Sequence, residues 1–323
     1  MHSSLLLSNL TNPTLLFFVL GILATILRSD LEIPASTSKF ISLYLLFSIG
    51  FKGGQELSHS ALSTELATTL GLAVLFSICL PVAAFFILRR RLGAANAGAV
   101  AAAYGSVSAV TFVAATSFLE SQKVPYGGHM VAAMALMESP AIMVGVLLMR
   151  RFRTEETADS MKISGTSMKG VLHESITNGS VLMVVGSLVI GLVADSKQAE
   201  GIKPFTTDIF KGFLAIFLLE MGMVAARRFK AFRSYGLTAS LFALLAPIIN
   251  GLISVWISGV LGLEPGNRFL LAILAASASY IAVPAAMRQA APEADPGLYI
   301  PSGAGRDFPF KYFCWHAPVL DVD

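Results

Sequence analysis

The segment Tyr104–Ala115, YGSVSAVTFVAA, places hydroxyl side chains in the middle of a strongly apolar part of the chain. A second segment, Ala276–Ala286, repeats the pattern in the other half of the chain as ASASYIAVPAA. The surrounding stretches, residues 94–119 and 269–287, contain no Asp, Glu, Lys or Arg. Each segment is therefore the polar centre of an uncharged apolar stretch, and the fold has to explain why the chain contains two of them.

The composition identifies the class of protein. Of the 323 residues, 55% are hydrophobic and 13% are charged, whereas about a quarter of the residues of a soluble domain are charged. Apolar runs of membrane-spanning length recur along the chain, and the alternating pattern of β-barrel strands is absent. We therefore predict an all-α polytopic membrane protein. The net charge of +3 reflects basic loops and not nucleic-acid binding.

Ten spans are predicted along the chain. The first has no basic region before it and no convincing cleavage site, so it is interpreted as a span and not as a signal peptide. The tenth is the weakest of the set. The predicted spans cover residues 13–27, 40–54, 66–88, 94–119, 127–149, 176–194, 207–226, 236–261, 266–287 and a final one from about 296.

Basic residues predict the orientation of these spans. The loops after the odd-numbered spans hold most of the Lys and Arg residues, including Arg89–Arg91 and Arg227–Arg228, whereas the even-numbered loops hold few. The positive-inside rule places the odd-numbered loops in the cytoplasm. We therefore expect a multi-pass protein of the inner (plasma) membrane with both termini outside.

Landmarks of the first half recur in the same order in the second half. The sequence LTNPT at Leu10–Thr14 recurs as ITNGS at Ile176–Ser180, and Gly50 corresponds to Gly222. The serine clusters are the third landmark. Because each unit holds an odd number of spans, five, the second copy must enter the membrane upside down. The predicted parts are a first five-helix repeat at 1–153, a cytoplasmic connecting loop at 154–175 and a second, inverted repeat at 176–323.

The serine clusters predict a binding site for a small anion. Small residues let helices break and backbones approach closely, and Pro284 cannot donate an intrahelical hydrogen bond. A broken helix presents free backbone N–H groups and about half a positive charge at the start of its second half. Two inverted copies direct two such ends to one place, which suits an anion without Arg or Lys. The candidate residues are Gly105, Ser106, Val107, Ser108, Ala109, Ser277, Ala278, Ser279 and Tyr280.

The two clusters correspond residue by residue, Ser106 to Ser277 and Ser108 to Ser279. A structural alternative is that the small residues only allow close helix packing, with the serine hydroxyls bonded to their own backbone carbonyls. Packing is the better explanation for one isolated cluster. A mirrored pair favours a binding site.

Two acidic side chains lie inside predicted spans. A carboxylate at the centre of a membrane helix costs about 2.5 to 3.5 kcal/mol, so Glu138, in LMESPA, requires a cation, a proton or a hydrogen-bonding partner. Glu220, in LLEMGM, is a weaker functional candidate. Lys52 is interpreted as an interfacial lysine whose ammonium group reaches the membrane surface. His129 and His173 lack metal-ligand spacing, so no metal site is predicted beyond transported sodium.

Longer motifs extend from these landmarks over nearly the whole chain: NPTLLFFVLG, LLFSIGFKGG, GSVSAVTFVAATSFLES, MESPAIMV, MGMVA and AASASYIAVPAAMRQAAPEADPGLYI. Through them the chain resembles the sodium-dependent bicarbonate transporters of the SbtA type. The resemblance implies ten transmembrane helices in two inverted five-helix repeats, with two crossing broken helices in a core domain beside a gate domain.

The resemblance also implies a function and partners. It implies sodium-coupled uptake of bicarbonate, a homotrimer in the lipid bilayer and control by a PII-like cytoplasmic protein. Anion and sodium bind together at the crossing helices of the family. The candidate cation ligands here are Thr111, Glu138, Ser106 and Ser277. Just after the second cluster, where cyanobacterial members carry an acidic residue and a hydroxyl, this chain has Tyr280 and Ala282, a departure that bears on sodium coupling.

The end of the chain departs from the repeat. Arg306, Asp307, Lys311 and His316 lie where the repeat needs an apolar tenth span. Written in one plausible set of codons, Ser302–Phe308 reads as the apolar LALGVT when the frame is shifted by one base. We therefore hypothesise a frameshifted end over about residues 302–318.

Together these observations predict a secondary active transporter that imports a small anion, bicarbonate by resemblance, with sodium. A carboxylate or sulfate would fit the same dipole site, and a sodium/proton antiporter would share the architecture. An antiporter should carry a titratable acid at the crossing, and residues 94–119 and 269–287 contain none. No nucleophile or metalloprotease pattern predicts an enzyme, and no cofactor is predicted.

Overall fold

The structure is a computed structural model that describes residues 13–58, 63–152, 177–232 and 236–279, with the further positions 170, 173, 283, 286, 287, 290, 291, 293–295 and 298. The anomalous C-terminal segment lies outside these residues, as do Tyr280 and most of the predicted loop at 154–175.

Helices account for all of the regular secondary structure in the described residues, so the all-α prediction is confirmed there. Three short helical turns, Ser196–Ala199, Glu200–Ile202 and Pro204–Asp208, connect α6 to α7. The longer helices are α1 (Pro13–Ile26), α2 (Ala35–Ser58), α3 (Thr64–Gly105), α4 (Ala109–Ser121), α5 (His129–Arg151), α6 (Gly179–Val193), α7 (Phe210–Phe232), α8 (Gly236–Val260) and α9 (Pro265–Ala276).

Four of the described helical segments are long and apolar enough to cross a membrane: Thr64–Gly105, His129–Arg151, Pro204–Arg227 and Ser240–Val260. Leu16–Ile26 and Gly179–Val193 are shorter apolar helices. Large apolar side chains also cover the outside of the bundle, for example Trp256, which is 71% exposed. Such a surface is suited to lipid and not to water. The fold is that of a polytopic membrane protein.

The predicted boundary between spans three and four falls inside α3. Gly93 adopts a φ of 76°, the left-handed region that glycine enters without strain, and the chain turns there between two helical segments. The arginine run Arg89–Arg91 immediately precedes this turn. The third predicted span and the first part of the fourth are therefore two helical segments that meet at Gly93.

Two long helix pairs cross at glycines. In the α1–α7 pair, a side chain on Gly21 would overlap the carbonyl of Leu219, and one on Gly222 would overlap the carbonyl of Phe18. The two backbones therefore touch at Gly21 and Gly222. This close approach is how membrane helices gain packing energy without a hydrophobic driving force between them.

The α2–α6 pair crosses in the same way. A side chain on Gly54 would overlap the carbonyl of Leu188, and one on Gly191 would overlap the carbonyl of Phe51. Each pair therefore joins one of the first two helices of the predicted first repeat to one of the first two of the second.

The remaining elements surround the interrupted helices. Gly98 and Gly145 form the close crossing of α3 and α5, and α9 packs against α4 and α8. The residues from Ala97 to Ser108 are all buried. The first serine cluster therefore lies inside the protein and away from lipid.

Candidate functional site

The first break separates α3 from α4 at Ser106–Ser108. Ser106 is extended, with φ −81° and ψ 166°, so α3 ends at Gly105. Ser108 is the N-cap of α4, and its Oγ accepts a hydrogen bond from the backbone N–H of Thr111 at 3.2 Å. The Thr111 hydroxyl lies 2.9 Å from the same Oγ. Serine is a preferred N-cap because its hydroxyl satisfies a backbone donor that the helix leaves free.

The second break follows α9. Ser277 has φ −84° and ψ 166°, nearly the same backbone conformation as Ser106, and α9 ends at Ala276. The Ser277 hydroxyl donates a hydrogen bond to the carbonyl of Leu274 at 2.8 Å. Corresponding residues in the two halves therefore interrupt their helices in the same way.

The two breaks are in direct contact. The backbone N–H of Ser279 donates to the carbonyl of Ala103 at 2.8 Å. From the other side, the backbone N–H of Ser108 donates to Oγ of Ser277 at 2.9 Å. These bonds join segments far apart in sequence, and the structure thus brings the two predicted clusters together in one buried place.

The contact is not symmetric at the level of the hydroxyls. The Ser277 Oγ connects Ser108 to Leu274, accepting from the first and donating to the second. Its counterpart, the Ser106 Oγ, is buried and has no hydrogen-bond partner. A buried hydroxyl without a partner is uncommon in proteins, which indicates that Ser106 is available to a ligand.

The other candidate residues of the clusters lie around these contacts. Gly105, Val107 and Ala278 are buried, and Ala109 is half-buried at the start of α4. Gly105 lies against the ring of Pro81, where a larger residue would not fit. The N-terminus of α4, with Ser108, Thr111 and the free Ser106 hydroxyl around it, can attract a small anion.

Glu138 is not connected to the residues of the serine clusters by a described hydrogen bond. It lies on α5 and is buried, with 9% of its surface exposed. Among the described contacts, no hydrogen bond or ion pair joins it to the serine clusters. The structure therefore brings Thr111, Ser106 and Ser277 together but leaves Glu138 as a buried carboxylate on a neighbouring helix.

A polar cavity of about 330 Å³ lies at the end of the bundle that the charge rule predicts to face outward. Lys52 of α2 forms an ion pair with Glu120 of α4 at its wall. The interpretation of Lys52 as an interfacial lysine stays a prediction, and the structure adds that the crossing of α2 and α4 gives its ammonium group a carboxylate partner. Lys52 and Glu120 both lie near span ends that are predicted to face outward. This shared position is the sequence feature that could have predicted their ion pair.

Comparison with known families assigns the chain. The model of the Na⁺-dependent bicarbonate transporter superfamily matches residues 13–314. The chain belongs to this superfamily. A search among curated proteins found no match.

Membership of the Na⁺-dependent bicarbonate transporter superfamily agrees with the resemblance seen in the sequence motifs. It is a transporter family, so the protein is not expected to be an enzyme. The buried contact between the two interrupted helices offers backbone and hydroxyl groups in one place.

Proposed function

We propose that the protein is a secondary active transporter that imports bicarbonate together with sodium, binding both ions where the two serine clusters meet. The observation that carries the proposal is the direct contact of the two helix breaks, with the buried, unpartnered Ser106 hydroxyl beside the N-terminus of α4.

The anion is held by dipoles and hydroxyls and not by a fixed positive charge. The helix N-terminus contributes about half a positive charge, and the Ser106 hydroxyl adds a donor. Residues 94–119 and 269–287 contain no Lys or Arg that would bind the anion permanently. A neutral site of this kind binds an anion best when a cation arrives with it. This favours coupled binding of the two ions.

Sodium is the coupled cation by family and by chemistry. It prefers oxygen ligands, and Thr111, Ser106 and Ser277 supply hydroxyl oxygens within one cluster. We propose that Glu138 contributes the negative charge from α5, since a buried carboxylate in a membrane requires a compensating partner. Sodium and bicarbonate carry no net charge as a pair, so the Glu138 carboxylate leaves the loaded site with one negative charge, which the positive N-terminal end of α4 offsets in part.

We propose that the transport cycle uses two inverted repeats. The helix pairing supports this layout, because α1 crosses α7 while α2 crosses α6, and exchange of the two halves converts one pairing into the other. The nearly equal backbone angles of Ser106 and Ser277 support it at the centre. We propose that residues 1–153 and 176–323 are the repeats, with the connecting loop in the cytoplasm and both termini outside.

Direct binding tests the site. Purified protein is titrated with sodium bicarbonate by calorimetry, and sodium sulfate and sodium acetate serve as the competing anions. The proposal predicts binding of bicarbonate in preference to the other two. Ser108→Leu and Ser279→Leu should each abolish binding, because a bulky side chain fills the space of the anion, and their effects should not add.

The matched control is Ser117→Leu, farther along α4, which should bind like the wild type. All variants must elute as monodisperse protein before comparison. Wild-type affinity in both central variants would show that the serine clusters serve packing alone. Preference for sulfate or acetate would overturn the assignment of bicarbonate.

A further inference from the structure

The cavity at the predicted outer end is a second polar site, distinct from the helix crossing. Its volume of about 330 Å³ has room for roughly ten water molecules. Glu120, at its wall, lies twelve residues after Ser108 on α4, which corresponds to about 18 Å along the helix axis. The cavity is therefore a site apart from the crossing, although α4 reaches both.

Charged groups of both signs line this cavity. Lys52 and Lys211 contribute positive charge, while Glu56, Glu120 and Asp208 contribute negative charge. The Lys52–Glu120 ion pair joins α2 to α4, and its side chains are 35% and 32% exposed. An ion pair so accessible to solvent contributes little stability, on the order of 0 to 1 kcal/mol. Dissolved ions can therefore exchange with it.

Neutral groups of the cavity also point to a ligand. Ser48 lines the cavity and is buried, and its hydroxyl hydrogen-bonds with that of Tyr44. Tyr126 donates a hydrogen bond to Oε1 of Glu120 at 3.2 Å. Burial and the nearby Glu120 carboxylate raise the pKa of Tyr126, so its hydroxyl stays protonated and remains a donor. A small oxyanion would find an ammonium and hydroxyl donors within one chamber.

We propose that this cavity is an entry site in which an oxyanion of the bicarbonate class and a sodium ion replace the Lys52–Glu120 ion pair. The anion takes Lys52 as its partner, and sodium takes the carboxylates of Glu120 and Glu56. The Glu56 carboxylate interacts electrostatically with both Lys52 and Glu120. The exchange replaces one ion pair by two, Lys52 with the anion and Glu120 with sodium, so neither side chain loses its counter-charge when the two ions enter together.

This inference rests on the proposed function but has its own readout. Thr207 lines the cavity and is exposed, so a Thr207→Cys variant without Cys79 and Cys314 reports access to the site. An uncharged maleimide labels this cysteine, and sodium bicarbonate should slow the labelling. The protection should persist when Ser108→Leu blocks the crossing. Its loss in that variant would show that the protection comes from the crossing and would overturn the entry site.

Substitutions of the ion pair should act in opposite directions. Lys52→Gln should raise the bicarbonate concentration needed for protection about tenfold or more, since it removes a charged hydrogen-bond donor. Glu120→Gln leaves Lys52 without its carboxylate and sodium with Glu56 alone, so it should lower that concentration and weaken the dependence of protection on sodium. Lys39→Gln, at the other end of α2, is the matched control and should change nothing. A merely structural ion pair predicts the same effect from Lys52→Gln and Glu120→Gln, and that result would refute the proposal.

The two proposals can fail separately. Sodium-driven uptake of bicarbonate without protection of Thr207→Cys would refute the entry site alone. Protection that follows the pattern above in a protein that carries no bicarbonate would refute the proposed function alone.

Discussion

Ser106 and Ser277 occupy corresponding positions but make different contacts. The Ser277 hydroxyl is used twice in the protein, as acceptor from Ser108 and as donor to Leu274. The Ser106 hydroxyl is used by neither backbone nor side chain. One hydroxyl therefore holds the two breaks together, while the other is free to bind an ion.

This difference predicts different effects of the same substitution. Ser277→Ala should destabilise the protein by about 1 to 3 kcal/mol, because it leaves the buried Ser108 N–H without a partner. Ser106→Ala should leave thermal stability unchanged but weaken bicarbonate binding. Unfolding temperature and titration on the same samples give both quantities. Equal loss of stability in the two variants would contradict the assigned roles.

Glu138 gives a second test at the residue scale. Glu138→Gln removes the negative charge that we propose to compensate sodium, so the variant should assemble normally but lose activation of uptake by sodium. Glu220→Gln, which changes another acid inside a predicted span, serves as the comparison and should retain activation. Uptake is measured over a series of sodium concentrations at constant ionic strength. Normal sodium activation in Glu138→Gln would exclude it as a cation ligand.

Local sequence predicted the helix breaks better than the contacts between them. Small hydroxyl residues in an uncharged span favour interruption, and α3 and α9 end at Gly105 and Ala276. The Lys52–Glu120 pair was missed, because it depends on how α2 and α4 cross. Local patterns report backbone preference, whereas long-range partners depend on packing.

At the scale of elements, glycines determine which helices can touch. Gly191 of α6 faces the backbone of α2, while Gly186 of the same helix faces open space. The α1–α7 pair offers the same contrast, with Gly222 at the crossing and Gly212 in open space. The position of a glycine on the helix face, and not its presence alone, decides its role.

The contrast predicts opposite effects of the same substitution. Gly191→Ala should lower thermal stability, because its Cβ would overlap the carbonyl of Phe51 and force α2 and α6 apart by a costly shift of about 1 to 3 kcal/mol. Gly186→Ala should be neutral or slightly stabilising, since alanine is the better helix former. Thermal unfolding in detergent measures both. A tolerated Gly191→Ala would refute the close crossing.

Predicted element boundaries were less accurate than predicted elements. The second span was expected at 40–54, but α2 runs from Ala35 to Ser58 and carries its charged residues inside the helix. Hydrophobicity missed the last turn of this helix because Glu56 lines a polar cavity and does not face lipid. A charged residue that predicts a loop in the sequence can therefore belong to a helix that lines a polar cavity.

At the scale of the whole molecule, one arrangement explains the paired sequence landmarks. Two helix pairs cross at glycines on the outside of the interrupted helices, and the two breaks meet in the buried centre. The polar cavity lies at the predicted outer end of the bundle. Sodium-coupled passage of an anion through the centre is the central claim.

Uptake into proteoliposomes tests this claim most directly. Labelled bicarbonate outside the vesicles should accumulate when an inward sodium gradient is imposed and should not accumulate when choline replaces sodium. The Ser108→Leu variant and protein-free vesicles should both remain at background. Accumulation that is equal with sodium and with choline, or wild-type uptake no greater than that of Ser108→Leu, would contradict the account.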